Sequence, residues 1–296
     1  MPILFSVRIS LLCKTAFRLT FFPFCPFPDY ADCDHVASAK AIAKGATHHT
    51  PQKPVYIIHT SGTGILTYED FRNNTWGIER TNEFDDWDGI DKVTSIPDDA
   101  FHRDVDKIIL GISKASPDSA KTAIVCPPCI NGPGRGACNT TSMQVYTLAK
   151  TVLSRKKGLL VGQGKNIWHY IHVQDLSDVY LALADAAAAG GGNATWNEKG
   201  YYFAENGAFV WGDVERRVAE YAHLKGWVPT TEIDHLSNEE VTKEQPLGLY
   251  MWGSNSRGHA IRARKLLGWT PRRPGLFEVV PSIVEIEAHG LELWAL

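Results

Sequence analysis

The sequence predicts an α/β fold built on a parallel sheet with helices on both faces. Three observations carry that expectation. The chain has 296 residues, 44% apolar and 21% charged, which is enough for a sizeable core and close to the globular average. Short apolar runs of β type recur from residue 29 onward. Stretches with helical spacing separate these runs, as crossover connections between parallel strands require.

Each element follows from its own residues. His35 to Lys44 is Ala-rich with apolar residues at helical spacing, and Gly45 is a natural stop. Pro54 to His59 is a buried strand that breaks into the turn Thr60-Ser61-Gly62-Thr63-Gly64. Ala100 to Leu110 reads as helix, Thr122 to Val125 as strand and Ser142 to Ser154 as helix. Gly158 to Gly162 and Tyr170 to Val173 are short strands. Asp175 to Ala189 is a helix with Asp175 as the expected N-cap, ended by Gly190-Gly191-Gly192-Asn193. A strand at Tyr201 to Ala204, helices at Gly212 to Lys225 and Arg257 to Leu267, and a last helix near Leu276 to His289 complete the chain.

Composition excludes several classes of function. With 30 Lys+Arg against 33 Asp+Glu the net charge is −3, and no basic stretch offers a footprint for nucleic acid. Six cysteines without a regular framework are expected as reduced thiols in a cytoplasmic protein. Cys126-Pro127-Pro128-Cys129 has redox or zinc spacing, but it closes an apolar run instead of opening a helix. It reads as a strand end, Cys126, followed by a loop residue, Cys129, and no metal site is expected. Residues 1–28 are aromatic and basic, with no acid before Asp29. Arg8, Lys14 and Arg18 interrupt any membrane span, so no membrane partner is expected. The segment is either a mitochondrial-type targeting stretch or a piece foreign to the fold.

Four motifs occur in one order. They are His59-Thr-Ser-Gly-Thr-Gly64 after a strand, Thr122 to Arg135 (TAIVCPPCINGPGR), Val161-Gly-Gln-Gly164 leading into Ile171-His-Val-Gln-Asp-Leu176, and Ala263 to Pro271 (ARKLLGWTP). Together they resemble the extended and atypical short-chain dehydrogenase/reductase superfamily, in particular fungal proteins of NAD-dependent epimerase/dehydratase or nucleoside-diphosphate-sugar epimerase type. The resemblance covers about residues 31 to 290. It implies a Rossmann-type NAD(P)-binding sheet over 31–190 and a smaller, partly interleaved C-terminal substrate region over 191–296, with 1–30 loosely attached. A homodimer is compatible with it. The strand and GxxGxxG turn that would open such a sheet and receive the cofactor pyrophosphate are not found in residues 1–30, so the sheet is expected to be N-terminally incomplete.

The resemblance also implies a site. Ser61 and Thr63 stand where hydroxyls polarise a substrate, or else bond only the local backbone. Thr60, Pro127, Pro128 and Cys129 match the cofactor-facing turn and loop. The Tyr-x-x-x-Lys segment matches Arg103 to Lys107. Arg103, always protonated, cannot inherit the tyrosine's role, whereas Lys107 keeps its spacing and is expected at a cofactor ribose. His102 or Tyr68 is then the remaining proton donor, with a surface-helix role as the alternative for His102. Trp168-His169-Tyr170 replaces the Arg-Asp-Phe of sugar-nucleotide members. This leaves Trp168 and Tyr170 to stack on an apolar substrate or to fill the core, and Arg135, Arg257 and Arg262 as anion contacts. His172 and Asp175 are expected to be structural. Two functions remain: an NAD- or NADP-dependent oxidoreductase, epimerase or dehydratase acting on a small molecule, or a non-catalytic dinucleotide-binding regulatory protein or truncated pseudoenzyme.

Overall fold

The computed structural model describes residues 25–30, 32–137 and 139–293. The targeting reading of residues 1–24 and the thiol of Cys138 lie outside the described residues. Four parallel strands form the central sheet in the order Cys25–Asp29, Val55–Thr60, Ala120–Cys126, Tyr201–Phe203. The expected parallel α/β architecture is therefore present. One boundary moves: Cys25–Asp29 pairs along its length with Val55 to His59, so the sheet begins before residue 30. Its Cys-Pro-Phe-Pro-Asp sequence was unreadable as a strand because two prolines remove donors, and only an edge strand with one paired side tolerates that.

Helices Val36–Ala46 and Arg103–Ala115 pack together over one face of the sheet, and Val173–Ala188 covers the other. Val55 to Ile58 and Ala123 to Cys126 lie fully buried between these layers, which explains their uninterrupted apolar runs. A second core gathers around helices Gln144–Arg155, Trp211–Leu224 and Leu276–Gly290, where Trp168, Trp211 and Trp252 are buried. Gln144–Arg155 thus joins elements from the far end of the chain, which interleaves the two regions. Two corrections concern local structure. The ring of His172, not Asp175, caps helix Val173–Ala188 by accepting from the Gln174 N–H. Asp175 instead receives the backbone N–H groups of Arg272 and Arg273 at 2.9 and 3.0 Å. Cys129 begins a short strand, Cys129–Asn131, parallel to Ile167–His172, and does not line a loop. Among the described residues no helix is long and apolar enough to cross a membrane.

Candidate active site

The candidate site lies at the carboxyl ends of strands Val55–Thr60 and Ala120–Cys126, where open parallel sheets form their ligand crevice. Leaving the strand, the Ser61 N–H donates to Val125 O and the Thr63 N–H to Pro127 O, each at 2.9 Å. These bonds tie the hydroxyl turn to the buried Pro127-Pro128 loop. Thr63 Oγ1 is buried without a hydrogen-bond partner, a costly arrangement that a bound polar group would relieve, whereas the Ser61 hydroxyl faces the Asp106 carboxyl.

Helix Arg103–Ala115 supplies the opposite wall. His102 precedes it in the left-handed region, φ 63°, a conformation His tolerates better than most residues. Its Nδ1 meets Asp34 Oδ1 at 2.7 Å and Cys33 Sγ at 3.3 Å. Burial opposes the charged ring, but the hydrogen bonds to Asp34 and Cys33 outweigh it and push the His102 pKa up to about 10. The hydrogen bond to His102 in turn holds Asp34 below its ordinary value. The other nitrogen, Nε2, hangs over the glycine turn: a Cβ added at Gly62 would lie 3.1 Å from it, and one at Gly64 2.9 Å. The same Cβ at Gly64 would collide with the Tyr250 hydroxyl, so the imidazole and the phenol converge on one spot. Tyr250 belongs to a π-helical turn, Leu249–Gly253, an irregularity frequent at functional sites.

One helical turn after His102, Asp106 is fully buried. It accepts from Tyr201 Oη at 2.9 Å, and Tyr201 accepts from Cys126 Sγ at 2.8 Å. Burial raises the Asp106 pKa, and its carboxyl faces His59, Ser61 and Tyr201. His59 is held through Nδ1 by Asp29 Oδ2 at 2.8 Å, while its Nε2 is buried without a hydrogen bond. An aromatic wall adjoins the turn: Phe101 lies 5.0 Å from Phe71 and 4.8 Å from Tyr250 between ring centroids, and Phe71 is 41% exposed.

The structure brings Ser61, Thr63, His102, Pro127 and Pro128 to this crevice and places the other expected residues elsewhere. Lys107 points to solvent, 48% exposed, with Nζ 2.7 Å from Asp98 Oδ2. The i,i+4 pair that faces inward is His102 and Asp106, one residue earlier than Arg103 and Lys107, and one residue turns a helix by about 100°. Arg103 is buried and donates to Thr94 O at 2.6 Å. Thr60 turns to the opposite face, its Oγ1 2.7 Å from Tyr180 Oη, and Tyr68 donates to Glu69 at 3.1 Å. Cys129 is sealed in the second core. Trp168 is also a core residue, with Nε1 donating to Ser254 O at 2.8 Å. Tyr170 packs on Phe209. Arg262 is buried against Asp86 O and Thr195 Oγ1, Arg257 donates to Arg80 O at 3.1 Å and pairs with Glu83, and Arg135 is exposed, so the five expected substrate residues do not converge. Sequence reasoning did not select Asp34, Asp106 or Tyr250. No motif marks them, since their partners lie far away in the chain.

This arrangement defines a Rossmann-type α/β protein with a His–carboxylate pair at the crevice. No protein-family model matches the chain. It is 32% identical over 272 residues to the oxidase ucsJ of Acremonium sp., which spans 90% of this chain and 78% of that one. The chain belongs to the family of that oxidase. Solved structures share the fold at low identity. The dTDP-glucose 4,6-dehydratase rfbB of Bacillus anthracis in complex with NAD matches with a TM-score of 0.58 at 12% identity, over 98% of this chain and 78% of that one. The UDP-glucose 4-epimerase of Thermotoga maritima with UDP-glucose matches with a TM-score of 0.55 at 12% identity, over 91% and 78%.

Proposed function

We propose that this protein is an NAD- or NADP-dependent oxidoreductase that interconverts a carbonyl and an alcohol on a small, largely apolar molecule. The observation that carries this reading is the His102–Asp34 pair, whose free nitrogen is held over the Ser61–Gly64 turn beside the Tyr250 hydroxyl. The kinship with a protein named as an oxidase supports it. The shared fold with a structure containing NAD also supports it.

The crevice suits the nicotinamide end of a dinucleotide, since Thr63 offers a buried, unpartnered hydroxyl beside Ser61 at the strand end. Among the described residues no glycine-rich strand-to-helix turn stands beyond Cys25–Asp29 to receive a pyrophosphate. A nicotinamide bound there would supply or accept the hydride. His102 Nε2–H donates the proton to the nascent alkoxide, Asp34 holds the ring through Nδ1, and Ser61 or Thr63 polarises the carbonyl. Because His102 is protonated at neutral pH, it is ready as an acid for reduction. As a base for alcohol oxidation it becomes competent only as the pH approaches about 10. The Phe71–Phe101–Tyr250 wall presents an apolar surface to the substrate.

The test follows NADH and NADPH oxidation spectroscopically with a panel of aromatic and aliphatic ketones and aldehydes, comparing wild type with His102→Gln. The expected result is turnover in the wild type and a loss of about 10² to 10⁴ in the variant. Dinucleotide binding with no oxidation of the cofactor by any carbonyl would instead support the non-catalytic reading.

A further inference from the structure

We infer that Cys33, Asp34 and His102 form a three-ligand site for a zinc-type divalent cation in the wall of the crevice. The residues come from two segments 69 positions apart, Cys33-Asp34 in the turn before helix Val36–Ala46 and His102 at the head of Arg103–Ala115. The close packing of those two helices brings them together. A thiol, a carboxylate and an imidazole thus have ligand atoms within 4.8 Å of one another.

The spacing suits tetrahedral coordination. Bonds of about 2.0–2.3 Å from zinc to N, O and S separate ligand atoms by about 3.3–3.6 Å along the edges of a tetrahedron. Here Sγ and Nδ1 are 3.3 Å apart and Nδ1 and Asp34 Oδ1 2.7 Å, and one ligand atom from each residue lies within 4.8 Å of the other two. A cation between them requires shifts of about half an ångström, small for the partly exposed Cys33 and Asp34 side chains. The donors match the ion in kind, since thiolate, imidazole and carboxylate are the ligands zinc selects. Charge balances as well. Binding releases the proton of the Cys33 thiol and the proton on His102 Nδ1, so the dication meets two anions and one neutral ring. The three protein ligands leave a fourth position for water, and Cys33, idle in proton transfer, acquires a role. A cation on Nδ1 takes the proton and the Asp34 partner that the proposed proton transfer uses, so the site belongs to the metal-bound protein and that proton transfer to the metal-free one, and the two are read by separate measurements.

The experiment titrates the full chain, freed of metal with a chelator that is then removed, with Co²⁺ and Zn²⁺ alone. The expected result is one equivalent of Co²⁺ producing a near-ultraviolet thiolate-to-metal charge-transfer band, which Zn²⁺ abolishes by displacement. The band should vanish in Cys33→Ser and in His102→Gln. Loss of either ligand should weaken Zn²⁺ binding by more than the roughly 10- to 100-fold that changes around a metal site's outer shell cost. Cys33→Ser replaces a partly exposed side chain and should keep the wild-type circular dichroism, and zinc should raise the melting temperature of the wild type but not of this variant. The absence of a saturable band, or a band of full strength in Cys33→Ser, would overturn the proposal. Binding is read without turnover, so its failure is separate from failure of the oxidoreductase assay.

Discussion

The His102–Asp34 pair should make the metal-free protein lose stability as the pH rises from about 7 to about 10. His102 binds its proton more tightly folded than unfolded, with a pKa raised from the ordinary 6.5 to about 10. A group raised in this way contributes stability that is fully present below the unfolded value and is lost as pH climbs through the folded one. At about 1.4 kcal/mol per tenfold change in proton affinity the full effect approaches 5 kcal/mol. The Asp34 side chain is 51% exposed, so water screens the pair, and about 1–2 kcal/mol is the expected size. The assay is urea unfolding at pH 7 and pH 10 in the presence of chelator, for wild type and His102→Gln. The variant serves as control for the lysines and tyrosines that also titrate there. At pH 7 the wild type should be the more stable by about 1–2 kcal/mol, and by pH 10 the gap should have closed substantially. A gap that is unchanged or wider at pH 10 would refute the reasoning, because the proton would then not be held by the fold.

Two substitutions test the placement of the site. Lys107→Ala should leave dinucleotide affinity and turnover within about twofold of wild type and change stability by under about 1 kcal/mol, since it removes only an exposed ion pair with Asp98; a large loss of NADPH binding by calorimetry would place the ribose on that face after all. Gly64→Ala introduces a methyl against His102 Nε2 and the Tyr250 hydroxyl, whose rings are held by Asp34 and by packing on Phe101 and must shift to admit it. It should cost about 1–3 kcal/mol of stability in chemical denaturation and lower turnover as far as His102→Gln does, whereas full activity would separate this spot from the chemistry.

The division between sequence and tertiary structure follows the range of the forces involved. The parallel α/β class, the strand read at Pro54 to His59, the glycine turn after it and the long helices were legible, because apolar periodicity and glycine turns are local properties, whereas the short helices Tyr68–Asn73, Ile90–Thr94 and Asn238–Glu244 carry too few turns to show a period. Cys25–Asp29 was not legible, since its prolines argue against a strand unless the position at a sheet edge is known. The Tyr-x-x-x-Lys spacing placed Lys107 in the site, yet an i,i+4 spacing fits equally well one residue earlier. Only the packing of Arg103–Ala115 against the sheet turned His102 and Asp106 inward and left Lys107 in water. Asp34 and Tyr250 reach His102 and the Gly62–Gly64 turn across 68 and nearly 190 residues of chain. No local pattern encodes such meetings. They depend on which helix faces close over the carboxyl ends of the strands, and burial of the whole core decides that.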